Sequence, residues 1–218
     1  MQFEDLQFMQ LAGNCASIGY LGKDRLKGPI DNVVTNGAGC IKLLIEGKYY
    51  KAVTDWATKA IQLKREPNFE GDSLIAFKFK YVLICHNDPK TPEYQNELLI
   101  RCQRFNDFLE KIKTNSNYYF TINLNENDVN RITHKLNIKQ IEATIKYLED
   151  IKLLNRVIFI STKHQNSASW WNFYSSEFDF FIKKFKLKHI VIENFDFKEN
   201  THNQFINKVK EVLRDELS

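Results

Sequence analysis

Short apolar runs rich in β-branched and aromatic residues alternate along this chain with longer amphipathic segments. Five runs have the length and composition of strands, at residues 8–12, 74–85, 118–124, 156–161 and 189–193. Six segments are interpreted as helices, two of them with apolar residues at clear three- and four-residue intervals, at 16–26, 37–44, 92–114, 138–154, 170–185 and 201–216. Strands that alternate with helices of this length predict βαβ units and a mainly parallel sheet covered on both faces. We therefore expect an α/β fold, a three-layer αβα sandwich.

The length of 218 residues predicts a single domain over residues 1–218. One segment, 33–70, fits the alternation least well, because three glycines and a proline interrupt it: Gly37, Gly39, Gly47 and Pro67. We interpret residues 33–70 as a helical insertion or cap at the edge of the sheet.

Charge and composition argue against several classes of partner. The net charge is +4, but lysine and arginine are interspersed with acidic residues and asparagine, so we expect no nucleic-acid partner. No apolar run approaches the roughly 18 residues that a membrane span needs. The N-terminal residues have neither the basic stretch nor the apolar core of a secretory signal.

The four cysteines are scattered without CxxC spacing: Cys15, Cys40, Cys85 and Cys102. This pattern argues against a zinc site and predicts free thiols in a reducing cytoplasm. The sequence also lacks a glycine-rich phosphate loop, so no cofactor is predicted.

The stretch Gly13-Asn14-Cys15 follows the first predicted strand and precedes a predicted helix. Gly13 allows a sharp turn, and Asn14 is a competent helix N-cap. A cysteine at the positive end of a helix is favoured as thiolate, which makes Cys15 a candidate nucleophile. A buried cysteine in an ordinary strand-to-helix turn is the simpler reading of the same residues.

Two other predicted strand ends carry groups that serve a cysteine nucleophile. His86-Asn87-Asp88 follows one strand, and Asp196 follows another with His202 six residues later. His86 or His202 is a candidate base, oriented by Asp88, Asp196 or Asp31, and Asn87 is a candidate donor to an oxyanion. In a parallel sheet all three strand ends face one edge, so we expect these groups to meet there. The choice between the two histidines stays open at this point.

Arginines on the predicted helix 92–114 are candidates for substrate binding. Arg101 and Arg104 lie three residues apart, so they share one side of that helix. The planar fork of arginine suits a carboxylate or phosphate, and ordinary ion pairing is the competing interpretation.

Part of this pattern resembles a family of uncharacterised proteins labelled papain-like cysteine peptidases. The resemblance covers roughly residues 8–125 and rests on Gly13-Asn14-Cys15, Arg25, Gly28-Pro29-Ile30-Asp31-Asn32, His86-Asn87-Asp88 and Arg101-Cys102-Gln103-Arg104-Phe105. Ile30 and Asn32 stand where the family has aromatic residues, and Asn87 separates the histidine from the aspartate. The resemblance implies a cysteine nucleophile at Cys15.

The order of the same blocks also resembles that of the SGNH hydrolases. Gly13-Asn14-Cys15 looks like their Gly-Asp-Ser block with cysteine in place of serine, and Cys85-His86-Asn87-Asp88 looks like their Gly-x-Asn-Asp block. Asp196 and His202 resemble their final Asp-x-x-His block, with a spacing of six in place of three. This resemblance implies a flavodoxin-like, SGNH-like parallel sheet and acyl cleavage or transfer, often on carbohydrates.

These observations predict a cysteine-dependent hydrolase or acyltransferase that acts on an acyl or amide bond of a small molecule, a glycan or a peptide. Its catalytic set would be drawn from Cys15, His86, Asp88, His202 and Asp196, with Asn14, Asn87, Asp31, Arg101 and Arg104 near the substrate. The alternative is a non-catalytic or glycosyltransferase-like domain that binds a sugar or sugar nucleotide, for which Cys15 would be dispensable.

Overall fold

The computed structural model describes residues 3–12, 33–35, 38–62, 74–78, 81–85, 91–124, 128–129, 132–133, 138–163, 176–193 and 199–217. The strands are β1 (Gln7–Ala12), β2 (Val33–Thr35), β3 (Leu74–Lys78), β4 (Tyr81–Cys85), β5 (Tyr118–Asn123), β6 (Asp128–Val129), β7 (Ile132–Thr133), β8 (Val157–Lys163) and β9 (Lys188–Glu193). The helices are α1 (Ala38–Ile45), α2 (Tyr49–Gln62), α3 (Pro92–Thr114), α4 (Ile138–Asp150), α5 (Ser176–Phe185), α6 (Glu199–Val212) and α7 (Arg214–Leu217). Short 3₁₀ turns lie at Phe3–Asp5 and Leu154–Arg156.

The main sheet has four strands in the order β1-β5-β8-β9, and every neighbouring pair is parallel. The predicted mixed α/β architecture with a parallel sheet is therefore confirmed. Each successive strand adds to the same side of the one before it. Because βαβ crossovers are right-handed, helices that connect strands laid down in one direction pack on one face of the sheet.

Side chains alternate between the two faces of this sheet with the period of two that strands impose. In β5, Tyr119 belongs to one buried cluster, whereas Phe120 and Ile122 belong to another. In β8, Val157 and Phe159 separate from Ile158 and Ile160 in the same way. The sheet is thus covered by apolar packing on both faces.

The first face packs against α1, α3, α4 and α5. From α3, Phe105 stacks on Phe120 at a ring-centroid distance of 5.4 Å, and from α5, Phe178 approaches Phe159 at 5.9 Å. Ile41 and Leu44 bring α1 into the same cluster. The helical part of the segment 33–70 is thus integrated into the main core.

The second face packs against α6, whose Phe205, Val209 and Leu213 are buried in the cluster that contains Tyr119. Helix α6 follows β9, the last described strand. It therefore connects no pair of described strands, and the crossover rule does not assign it to the first face. Beyond α6, Glu216 accepts a hydrogen bond from the Tyr119 hydroxyl at 2.6 Å and pairs with Lys188 at 2.8 Å. Because Lys188 begins β9, α6 runs from the carboxyl end of β9 back to its amino end.

The longest helix, α3, begins and ends at the residues that the sequence predicts. The Thr91 hydroxyl accepts a hydrogen bond from the Tyr94 N–H at 3.3 Å, and Pro92 occupies the first turn, where a missing N–H costs nothing. The buried residues recur at helical spacing: Tyr94, Leu98, Arg101, Phe105, Phe108, Leu109 and Ile112. This stripe faces the sheet and aligns α3 along β5.

One predicted strand is wrong in its extent. Residues 74–85 form two antiparallel strands, β3 and β4, in which Lys78 pairs with Tyr81. They make a separate three-stranded sheet in the order β2-β4-β3 and do not pair with the described strands of the parallel sheet. Alternating apolar residues give the same period in one long strand and in two strands joined by a two-residue connection, so the pattern does not separate the two cases.

The remaining predicted elements agree with the structure within a few residues where it describes them. The predicted helix at 16–26 lies outside the described residues, as do residues 170–175 of the predicted helix at 170–185. None of the described helices combines the length and the apolar composition needed to cross a bilayer.

Three helices end in the same Schellman-type motif. In each, the residue just before the last N–H donor of the motif has a left-handed backbone conformation. After α1 the Lys48 N–H donates to the Leu43 carbonyl, and after α4 the Leu153 N–H donates to the Leu148 carbonyl, both at 2.8 Å. The left-handed residue is Gly47 after α1, but it is Lys152 (φ 59°) after α4 and Lys186 (φ 51°) after α5. A side chain there costs roughly 1 kcal/mol, which glycine avoids.

We predict that Lys152→Gly raises the free energy of unfolding by about 0.5–1 kcal/mol, because relief of the left-handed strain exceeds the added entropy of the unfolded chain. Urea denaturation measures the change. The matched control is Gly47→Ala, which introduces the same strain without a clash, since no atom lies within 4 Å of the added Cβ, and should lower stability by about 1 kcal/mol. A loss of stability in Lys152→Gly would contradict this account of the helix ends.

Candidate functional site

The candidate site lies at the edge of the parallel sheet where the strands have their carboxyl ends. β1 ends at Ala12 and β9 ends at Glu193, and because the strands are parallel both ends face this edge. Cys15 and Asp196 each follow three residues beyond those ends in the sequence. With β5 and β8 between them, the ends of β1 and β9 are about 14 Å apart.

His202 belongs to helix α6, whose beginning lies beside this edge. The Glu193 N–H at the end of β9 donates to Gln204 Oε1 at 3.1 Å, which fixes the beginning of α6 beside the carboxyl end of β9. The next residue of α6, Phe205, makes an edge contact with Phe8, the second residue of β1, with ring centroids 5.4 Å apart. The helix is therefore tied to both outer strands of the described sheet, and His202 is a partly exposed residue of its first turns.

Two buried polar residues lie side by side on the face that α6 covers. Gln10 of β1 is paired in register with Thr121 of β5, and the two are 4% and 0% exposed. The Thr121 hydroxyl has no hydrogen-bond partner within the part of the chain that the structure describes. Such a group costs roughly 1–3 kcal/mol when nothing satisfies it. The sheet face beneath α6 therefore contains two buried polar side chains among its apolar ones.

The second predicted block, His86-Asn87-Asp88, follows β4 and lies outside the described residues. The expectation that three strand ends share one edge is confirmed for β1 and β9 as strands of one sheet. It is wrong for β4, which belongs to the antiparallel sheet. The topology therefore gives no reason for His86 to accompany the end of β1.

The two arginines of α3 have different environments. Arg101 is buried, with 5% of its surface exposed, and its guanidinium pairs with Glu97 one turn earlier on the same helix. Arg104 is exposed. The Arg101 charge is thus compensated within α3, which favours the ion-pair interpretation of this residue over a fork shared with Arg104.

Seven of the predicted site residues lie outside the described residues: Asn14, Cys15, Asp31, His86, Asn87, Asp88 and Asp196. Among the described residues no cluster of three or more metal-ligating side chains is present.

The sequence analysis missed one buried polar pair, formed by Ser161 of β8 and His189 of β9. The Ser161 Oγ lies 2.8 Å from His189 Nε2, and the ring makes an edge contact with Phe178 of α5. The sequence does place a serine and a histidine in neighbouring predicted strands, but their contact depends on the strand register, which puts both side chains on the same face. Because Ser161 is 1% exposed, its hydroxyl is closed to a substrate in this structure.

Burial lowers the pKa of His189 to about 4, although the nearby Asp179 carboxylate acts in the opposite direction. The imidazole is therefore neutral near pH 7. Depending on its tautomer, it accepts a hydrogen bond from the Ser161 hydroxyl or donates one to it. A base with so low a pKa is a poor general base at that pH. We interpret this pair as a satisfied polar element of the core.

The described part of the chain also contains one thiol whose environment can be assessed. Burial raises the pKa of Cys102 to about 12, against which a hydrogen bond from the Tyr50 backbone acts weakly. Cys102 is therefore an inert thiol and an internal reference for any cysteine chemistry in this protein.

Comparisons with known protein families, with curated proteins and with solved structures found no significant match for this chain.

The low pKa of His189 predicts a specific dependence of stability on pH. In the unfolded chain the imidazole takes up a proton near pH 6.5, whereas the folded protein resists this until about pH 4. The contribution to stability is therefore complete above pH 6.5 and is lost progressively as the pH falls to 4, by about 3 kcal/mol in total.

Urea denaturation across this range measures the loss in the wild type and in His189→Gln, which removes the titrating group. The wild type should lose about 2 kcal/mol more than the variant between pH 6.5 and pH 4.5. Equal pH dependence in wild type and His189→Gln would contradict a buried neutral imidazole.

Proposed function

We propose that this protein is a cysteine-dependent hydrolase or acyltransferase in which Cys15 is the nucleophile and His202 is the base. The observation that carries the proposal is the position of His202, on a helix tied at once to the end of β9 and to β1. Gly13-Asn14-Cys15 comes directly after β1 in the sequence, and β1 ends at the same edge of the sheet. The proposed architecture is a three-layer αβα sandwich with the site at the carboxyl ends of the strands, where such sheets bind ligands.

The topology favours His202 over His86 as the partner of Cys15. His202 belongs to a helix that packs on the parallel sheet, whereas His86 follows a strand of the antiparallel sheet. Asp196 lies between the end of β9 and α6 in the sequence, so it is the carboxylate placed by chain connectivity to orient His202. Asp88 and Asp31 remain candidates for that role only if His86 is the base.

In the proposed reaction His202 accepts the proton of the Cys15 thiol, and the thiolate attacks the carbonyl carbon of the substrate. The oxyanion receives hydrogen bonds from backbone N–H groups near Cys15, with Asn14 as a side-chain donor; Asn87 is the donor if His86 is the base. As the carbon–heteroatom bond breaks, the His202 imidazolium returns its proton to the leaving group, and a thioester remains on Cys15. Water or an alcohol then attacks the thioester with His202 as base, which releases the acyl product and regenerates the thiol.

The proposed substrates are acyl or amide compounds of a small molecule, a glycan or a peptide, in keeping with the two resemblances of the sequence. The four cysteines are scattered without CxxC spacing, which favours free thiols in a reducing compartment, so we propose a cytoplasmic location.

The proposal predicts that an iodoacetamide probe labels Cys15 faster than any other cysteine of the folded protein, because only a thiolate reacts. Cys102, with its raised pKa, is the internal control and should be protected. Peptide mass spectrometry after short labelling times measures the ratio. Labelling of Cys15 no faster than that of a cysteine in the urea-unfolded chain would contradict an activated thiol.

A second prediction concerns His202. The variant His202→Gln should slow both the alkylation of Cys15 near neutral pH and the hydrolysis of an activated ester, the latter by about 10²-fold or more. Asn203→Ala, an exposed neighbour on α6, is the matched control and should retain the wild-type rates. If His86→Gln shows the loss and His202→Gln does not, His202 is not the base and the assignment fails.

A further inference from the structure

Two adjoining cavities open at the opposite edge of the parallel sheet, where the strands have their amino ends. One has a volume of about 500 Å³ and lies between the ends of α3 and α4 and the beginning of β8. The other, of about 390 Å³, lies between the end of α5 and the beginning of β9. Lys152 and Asn155 line both, so the two cavities adjoin, and we call them together the amino-edge groove. These volumes are typical of small-molecule sites.

The described lining of the amino-edge groove is strongly cationic. Five basic side chains line it, against the single carboxylate of Glu149: Lys113, Lys152, Arg156, Lys186 and Lys188. Lys113 pairs with Glu110 and Lys188 with Glu216. Lys152 and Lys186 make no ion pair with a carboxylate within the described residues. The groove therefore retains a positive charge that its own protein groups do not neutralise.

Two of these cations are held in fixed positions. The Arg156 guanidinium donates to the Ser116 carbonyl at 2.9 Å and lies over the Tyr119 ring at 5.5 Å. Lys188 Nζ donates to the Asn155 carbonyl at 2.6 Å while it pairs with Glu216. Side chains anchored in this way lose little further freedom when an anion binds, which favours affinity.

The two lysines without carboxylate partners are the ones whose backbone is strained. Lys152 and Lys186 take the left-handed conformation that glycine takes after α1. For Lys186, a favourable contact with the negative end of the helix does not require this position, because α5 already carries Lys183 and Lys184 in its last turn, whereas α4 has no basic residue in its last turn. Strained residues cluster where a site needs their side chains. Both lysines line the groove.

We propose that the amino-edge groove is a binding site for a small molecule that carries at least two phosphate groups. Compact lysine ammonium groups and an arginine fork are the side chains that bind phosphate oxygens. The volume suits a small molecule, and the extension of the groove over both cavities suits a ligand with charge at two places. The site is independent of the proposed cysteine chemistry, which belongs to the other edge of the sheet.

Titration calorimetry of the full chain with inorganic tripolyphosphate at low ionic strength tests this site. The double variant Lys152→Gly/Lys186→Gly should bind about tenfold more weakly or worse, while urea denaturation shows unchanged or increased stability. Loss of binding is then separated from loss of folding. Lys152→Arg/Lys186→Arg keeps both charges and should retain binding within about threefold.

The charge-matched control is Lys51→Ala/Lys146→Ala, which removes two exposed lysines of α2 and α4 that lie outside the groove. Its affinity for tripolyphosphate should equal that of the wild type, and so should that of Cys15→Ala. An equal loss in the control would show general charge attraction and overturn the proposal. So would the absence of binding by the wild type at about 1 mM tripolyphosphate, even if RNA or anionic vesicles bind.

Discussion

The parallel pairing of β1 with β5 is the contact on which the rest of the structure depends. It joins residues 7–12 to residues 118–122, so its formation closes a loop of more than a hundred residues at a cost in conformational entropy. β5 is then a strand buried on both faces, with Tyr119 and Thr121 on one side and Phe120 and Ile122 on the other. The later strands add in one direction, and the right-handed crossovers leave the second face for α6.

This arrangement gives the two edges of the sheet different chemistry. The carboxyl edge receives the end of β1, the end of β9 and the beginning of α6, and it is the edge at which we propose the cysteine chemistry. At the amino edge, Lys152 and Lys186 follow the ends of α4 and α5, and Arg156 and Lys188 are anchored by Tyr119 and Glu216. A polar network thus closes the core at the same edge that carries the cationic groove.

The sequence predicted those elements whose caps and apolar spacing lie within the element itself. The bounds of α3 follow from a threonine cap, a proline and a long apolar stripe, all within the helix itself. The division of residues 74–85 into β3 and β4 was missed, because the two arrangements have the same side-chain period. The pairing of Ser161 with His189 depends on strand register, and the left-handed lysines depend on helix ends, so neither is visible in composition or spacing.

The account depends most on α6, which runs along β9, also reaching β1 through the contact of Phe205 with Phe8, because the proposed catalytic pair joins His202 of this helix to Cys15, which follows β1 in the sequence. The direct test is a double-mutant cycle on Phe8→Leu and Phe205→Leu, read by urea denaturation. The edge contact between the two rings predicts a coupling free energy of about 0.5–1.5 kcal/mol. Additive effects of the two substitutions would contradict the placement of α6 and, with it, the proposed catalytic pair.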